Sequence, residues 1–429
     1  MDLVIHVVQA GDTVTGIARQ YGVSPETIVS VNQLTSPDRL VVGQSLVVPQ
    51  GQRIYVVRPG DTLTSIARQY GVGLDSLQGE NPDIDAAGRI YPGQVVVIPP
   101  PGGQAQREIE VNGYTFPGSN MALVRTAFPS LTYLSIFSYE VRADGSLSTI
   151  DDQRWIAAAR SSRVAPMMVI TNIRPTGGFD SDIAHAVLND ATAQQNLINN
   201  VANTMRAKNY YALNIDFEYV YAYDRQSYNA FLRTITARMH ELGYPVMTAL
   251  APKLSATQTG LLYEAHDYAV HGEVADRVIL MTYEWGYLAG PPQAVAPLNQ
   301  VRRVLEYALT VIPASKILMG IPNYGYDWTL PYVRGTLATT FSNVEAVDRA
   351  ARNRAAIRFD PTAQSPYYNY YDAQGRQHIV WFEDARSIQA KLGLVREYNL
   401  AGISYWTIER PFPQNLVVLN SEFTIKKVI

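Results

Sequence analysis

The sequence predicts an α/β protein in two parts: a closed (β/α)8 TIM barrel over residues 108–429, and two small βααβ modules before it at 1–50 and 51–100. Three observations carry this expectation. A block of sequence occurs twice at the N-terminus, a Pro/Gly-rich run follows it, and beyond residue 130 short apolar runs alternate with helix-like segments. At 429 residues, 47% of them hydrophobic, the chain is long enough for one large core and two small ones.

The repeat reads Val7-Val8-Gln9-Ala10-Gly11-Asp12-Thr13-Val14 and then Val56-Val57-Arg58-Pro59-Gly60-Asp61-Thr62-Leu63. Ile17-Ala18-Arg19-Gln20-Tyr21-Gly22-Val23 returns as Ile66-Ala67-Arg68-Gln69-Tyr70-Gly71-Val72, and Asn32 corresponds to Asn81. Self-similarity at a fixed period marks a repeated supersecondary unit. Each copy reads as strand, short helix, second helix, strand. Asp12-Thr13 and Asp61-Thr62 stand where a helix N-cap is wanted, a position at which a side-chain oxygen satisfies an unpaired N–H. The run Pro99-Pro100-Pro101-Gly102-Gly103 closes the second copy. Prolines hold the chain extended and Gly-Gly frees it, so a linker is expected at 101–107.

Strands are then expected at 133–139, 166–172, 212–220, 245–252, 277–285, 316–324 and 401–408, with helices at 151–163, 193–208, 224–242 and 299–311 between several of them. Such alternation predicts parallel βαβ units, and a count near eight in about 300 residues fits a closed barrel. Polar and aromatic residues collect at the C-terminal ends of these runs, where barrel active sites are built. A segment at 328–380, rich in tyrosine and longer than a crossover needs, is expected to form a small insertion beside the cleft.

The run Leu213-Asn214-Ile215-Asp216-Phe217-Glu218-Tyr219-Val220 is the most informative. Its period of two places Asn214, Asp216 and Glu218 on one strand face, neighbours about 6.5–7 Å apart. Polar groups on an otherwise apolar strand are costly to bury without partners. Two carboxyls so placed oppose each other's ionisation, so that one keeps its proton near neutral pH and suits acid/base chemistry.

Asn214-Ile215-Asp216-Phe217-Glu218 resembles the fourth-strand motif, DxxDxDxE, of glycoside hydrolase family 18. Met281-Thr282-Tyr283-Glu284-Trp285, Gly320-Ile321-Pro322-Asn323-Tyr324-Gly325 and Gly402-Ile403-Ser404-Tyr405-Trp406 resemble the sixth, seventh and eighth. The resemblance covers roughly residues 130–420. Two departures stand out: Tyr211 and Asn214 replace the first two acids, and Glu284 replaces the sixth-strand Asp. Activity is expected to survive, with altered tuning of Asp216. The resemblance implies substrate-assisted, retaining hydrolysis. Glu218 would be the acid and then the base, Asp216 would hold the acetamido group with help from Tyr283, and Trp406 would form the floor. Asn214, Tyr139, Glu284, Trp285, Asn323 and Tyr324 are expected as wall residues.

The two N-terminal copies resemble LysM modules, which bind N-acetylglucosamine glycans such as peptidoglycan or chitin. That resemblance implies contacts from Gly11, Asp12, Thr13 and Leu40, and from Gly60, Asp61, Thr62 and Ile90. Two such modules joined to this barrel resemble the spore germination N-acetylglucosaminidases of endospore-forming bacteria. Ala251-Pro252-Lys253 and Trp381-Phe382-Glu383-Asp384 are similar to that subgroup as well. The implied substrate is spore cortex peptidoglycan or its fragments. A chitin hydrolase and a non-catalytic glycan-binding coat protein remain the alternatives, and the intact acid Glu218 argues against the second.

Composition bounds the rest. A net charge of −3 without a basic run argues against nucleic acid. Six scattered histidines show no metal-ligand spacing, so neither metal nor cofactor is expected. The absence of cysteine removes disulfide and thiol chemistry. No apolar run has membrane-spanning length. The first repeat begins almost at Met1, which leaves no room for a secretory signal; the expectation is a monomer made in the mother cell and deposited around the spore.

Overall fold

A computed structural model describes residues 3–50, 53–79, 81, 84, 88–98 and 106–429. The chain divides into two compact units, Met1–Glu108 with Pro413–Thr424, and Ile109–Phe412 with Ile425–Ile429. Most of the expected linker, residues 101–105, lies outside the described residues.

In the first unit each repeat is a βααβ module. Leu3–Val7 pairs antiparallel with Ser45–Pro49, and Arg53–Val56 with Val95–Ile98. The helices are Val14–Tyr21 and Pro25–Asn32 in the first copy, Leu63–Tyr70 and Leu74–Gly79 in the second. Each copy has its own small core, built on Ile17, Ile28 and Leu46 in one and on Ile66, Leu77 and Val96 in the other. Thr13 and Thr62 are the N-caps, accepting from the N–H groups of Gly16 and Ser65. Asp12 and Asp61 instead fix the turn before the helix, accepting from the N–H groups of Gln9 and Arg58 at 2.7 Å. Their carboxylates also meet the first strand, at His6 Nε2 (2.9 Å) and Tyr55 Oη (2.7 Å).

The Asn pair explains much of the repeat. Asn32 is buried, its Nδ2 donating to Ile28 O and Val47 O at 2.8 Å and its Oδ1 accepting from Val47 N at 2.7 Å. Asn81 does the same with Leu77 O and both backbone groups of Val97. One carboxamide thus ties the second helix to the last strand. In this unit helix Pro413–Glu422 also packs on the second helix and last strand of the first module. Its Gln414 donates to Asn32 Oδ1 (2.7 Å) and Ser45 O (3.0 Å).

In the second unit eight strands run parallel in chain order: Glu108–Thr115, Tyr133–Glu140, Ala165–Thr171, Ala212–Asp216, Val246–Leu250, Arg277–Leu280, Ile317–Pro322 and Gly402–Trp406. The eighth pairs with the first, Gly402 opposite Glu110, and closes the barrel. Helices on the outside include Gln153–Ser161, Ala191–Lys208, Arg225–Glu241 and Leu298–Ala308, close to the expected spans. The first strand was not among the expected runs because Glu110 and Asn112 break its apolar pattern. Both are buried inside the barrel with partners, Glu110 on Arg277 at 2.6 Å and Asn112 on the hydroxyls of Ser135 and Ser404 at 2.9 Å. The fourth and sixth strands stop short of the expected 220 and 285. Between the seventh and eighth strands an antiparallel five-stranded sheet with helix Asn343–Arg352 forms the insertion, starting at Gly325 rather than 328.

Replacing Asn32 by Ala strands the buried N–H and carbonyl of Val47. We expect the first module to lose at least about 2 kcal/mol, the cost of unsatisfied buried polar groups. Denaturant unfolding followed by amide exchange at Val47 and Ile28 should show the loss there, with the second module unaffected.

Candidate active site

The fourth strand leaves the ladder at Asp216, the last residue in register with the third strand. Glu218 lies two residues further on, and both carboxyls open onto one cavity of about 640 Å³. Tyr283, Glu284 and Trp406 line the same cavity. Of the expected residues, these five are therefore brought together from strands four, six and eight.

Asp216 is 3% exposed, and its Oδ1 is buried without a hydrogen-bond partner among the described residues. Burial pushes its carboxyl up to about 7. Glu218 is pushed well above the usual carboxyl range, by burial first and then by Asp216 and Glu284. Glu284 is open to the cavity along much of its length. Desolvation raises it too, against hydrogen bonds from the phenols of Tyr324 and Tyr326 that favour its anion. Tyr283 is held far above its ordinary value by burial and by these acids, so it stays a neutral phenol able to donate.

The sixth strand ends at Leu280, and the chain turns tightly, Tyr283 N donating to Met281 O at 2.8 Å, which swings Tyr283 into the cavity. Gly320 on the neighbouring strand makes room for it, since a Cβ there would lie 2.8 Å from Tyr283 Cε1 and 2.5 Å from Leu280 O. Glu284 and Tyr219 both adopt left-handed backbone, φ 66° and 54°. For non-glycine residues such conformations cost about 1–3 kcal/mol and gather at functional sites. Trp406 is wedged edge-on against Phe137 (5.0 Å) and Tyr114 (5.2 Å).

Five expected wall residues sit elsewhere. Tyr139 points out of the barrel and donates to Asp152, where Tyr210 and Lys208 also converge. A register irregularity between Ile136 and Tyr139 breaks the strand's alternation, so Phe137 enters the cavity and Tyr139 does not. Asn214 is fully buried behind the cavity, its Nδ2 donating to Tyr114 Oη at 2.6 Å. Asn323 clamps the loop after the eighth strand, donating to Thr407 O (2.9 Å) and Arg410 O (3.0 Å). Tyr324 reaches the site only through Glu284. Trp285 lies off the cavity lining, its backbone bonded to Val295 O and to Gln293 Nε2.

Sequence reasoning missed Tyr114, Phe137, Tyr219, Tyr263 and Tyr287, all on the cavity wall. Tyr114 sits on the overlooked first strand; the others are loop or irregular positions with no periodic signal.

The sequence matches the LysM domain profile at residues 6–49 and 55–99, and that of glycosyl hydrolases family 18 over residues 124–410. The chain belongs to glycosyl hydrolases family 18 and carries two N-terminal LysM domains. It is 45% identical to the cortical fragment-lytic enzyme of Bacillus subtilis, the alignment covering 99% of both chains. Its structure is similar to the spore cortex-lytic enzyme SleL of Bacillus megaterium, with a TM-score of 0.86, 39% identity and 99% of both chains covered. SleL of Bacillus cereus gives 0.85 at 41% identity, covering 100% of this chain and 99% of that one.

Asp216 is one of the two charges that raise Glu218. Asp216→Asn should lower the Glu218 pKa, leaving it above the ordinary range because burial, the largest cause, persists. Carbon-13 NMR of labelled glutamate carboxyls reads this directly, and Glu284→Gln should move it the same way.

Proposed function

We propose that this protein cleaves the glycosidic bond after N-acetylglucosamine in spore cortex peptidoglycan or its fragments, with retention of configuration, while its LysM domains hold the glycan. The partnerless buried oxygen of Asp216 is the observation that carries this reading. A buried acceptor without a donor is costly, and an acetamido N–H entering the cavity would satisfy it. The names borne by the full-length relatives point to the same substrate.

Glu218 protonates the glycosidic oxygen as the bond to the anomeric carbon breaks. The acetamido carbonyl oxygen of the same sugar attacks that carbon from the opposite side and closes an oxazolinium ring. Asp216 accepts from the acetamido N–H and balances the new positive charge, and Tyr283 donates to the acetamido oxygen. Glu218, now ionised, takes a proton from water, whose oxygen opens the ring. Two inversions give retention. Trp406 supplies the apolar face under the reacting sugar.

Glu218→Gln should lower kcat about 10²- to 10⁴-fold, the usual worth of a positioned general acid, while binding to insoluble peptidoglycan persists. Product mass spectrometry on cortex fragments and on chitin, side by side, tests the substrate; faster turnover of chitin would replace the cortex reading with a chitinase. Early proton NMR of the products should show the substrate's anomeric configuration, and inverted product excludes the mechanism.

In the second LysM domain Tyr91, beside the expected contact Ile90, is 67% exposed. As a sugar-stacking ring it should matter to retention: Tyr91→Ala should weaken pull-down on insoluble peptidoglycan several-fold without changing turnover of small soluble fragments. Equal pull-down would remove this loop from the glycan-binding surface.

A further inference from the structure

Glu218 lies where the sheet no longer holds the chain. The third strand's register with the fourth ends at Asp216, and the fifth strand's at Ile215. The next residues are instead gripped by two buried side chains from neighbouring elements. From one side comes Asn172, fully buried just past the end of the third strand. Its Oδ1 accepts the N–H of Glu218 at 2.9 Å, and its Nδ2 donates to the carbonyl of Glu218 at 2.8 Å. The same Nδ2 donates to Asp180 O at 2.9 Å, which fixes the orientation of the amide.

From the other side comes His266, 1% exposed, in the segment before helix Tyr268–Val274. Its Nδ1 accepts the N–H of Ala251 at 3.0 Å, so the ring proton resides on Nε2, which donates to the carbonyl of Phe217 at 2.9 Å. Burial holds this imidazole down at about 4, and so neutral, as that pair of bonds requires. The Phe217–Glu218 peptide is therefore pinned at its carbonyl by His266 and at its N–H by Asn172.

We infer that Asn172 and His266 form a two-sided side-chain splint that positions the Glu218 carboxyl beyond the end of the sheet. Neither itself lines the cavity, so they are positioning residues. The inference rests on the reading of Glu218 as the acid. A strand end held only by its own backbone would let this carboxyl swing toward solvent. The splint keeps it in the desolvated place that raises its pKa, facing Asp216, Glu284, Tyr283, Tyr114 and Tyr219.

The test uses the full chain with soluble cortex fragments. His266→Leu removes both ring bonds, His266→Gln keeps a donor and an acceptor, and Asn172→Ala releases the opposite side. Loss of either grip should lower kcat about 10- to 100-fold, the scale of a misplacement near 1 Å, with KM changed less than about threefold. The basic limb of the kcat pH profile should move to lower pH, because a looser Glu218 is better solvated and gives up its proton more readily. His266→Gln should restore most of the turnover and the position of that limb. Unchanged kcat in folded His266→Leu and Asn172→Ala overturns the inference, as does a fall in kcat with the basic limb unmoved. If His266→Leu fails to fold, Asn172→Ala decides by the same two readouts. Glu218→Gln runs as reference: full activity there overturns the acid assignment itself, whereas an inactive Glu218→Gln beside normal splint variants overturns only the splint.

Discussion

Moving an ionised carboxylate out of water costs several kcal/mol even after the surrounding protein relaxes, and this barrel sets three carboxyl groups on one cavity. Among the described residues no lysine or arginine lines it to offset them. Desolvation answers by raising the pKa of each of them. Asp216 is moved up to about 7, and Glu218 well above the usual carboxyl range. The barrel contributes the dry wall that makes this possible, with Tyr114, Phe137 and Trp406 packed edge to face on one side of the site. By contrast, the acid at the N-terminal end of the first strand, Glu110, meets Arg277 and Lys426 and falls below its ordinary range. The same residue class is thus shifted toward its anion at one end of the barrel and toward its acid at the other, the difference lying in whether cations are built beside it.

The same demand shapes the backbone. To aim side chains across the mouth, strands four and six stop before their apolar pattern does, and Tyr219 and Glu284 take left-handed conformations. Such strain persists only where the frame around it is over-determined. Here a closed ladder of eight strands supplies the frame, and single side chains finish the work: Thr282 Oγ1 on Gly320 O at 2.7 Å, Asn323 on the loop after the eighth strand, Asn172 and His266 on the fourth.

How far these features could be read in the amino-acid sequence depended on whether they were periodic. The repeat was legible because two copies carry the same Asn, Asp-Thr and Gly positions under the same constraints, and the barrel was legible from its alternating runs. Asp216, Glu218, Tyr283 and Trp406 stood out as polar or aromatic residues ending apolar strands. What periodicity cannot express was lost. One irregularity in the second strand exchanges Phe137 for Tyr139 in the cavity. Buried polar pairs disguised the first strand. Asn323 and Tyr324 share the seventh-strand end with no sequence mark that one clamps a loop and the other an acid. The contact of Gln414 with Asn32 spans 382 residues and has no local signature at all.

The two departures from the family's acidic pattern fit together once the site is seen whole. An acid at position 214 would set another carboxyl on the same strand face, about 6.5–7 Å from Asp216. Asn214 places a neutral amide there, spending its Nδ2 on the Tyr114 phenol. Asp216 therefore feels one anion fewer. Glu284 keeps an acid at the sixth-strand position, hydrogen-bonded by two phenols, and it is one of the groups that raise Glu218. The two positions act in one direction. Removing charge beside Asp216 eases its ionisation, and keeping an acid beside Glu218 opposes the ionisation of that group. The last proton of the pair is thereby biased toward Glu218, the order that the proposed acid requires.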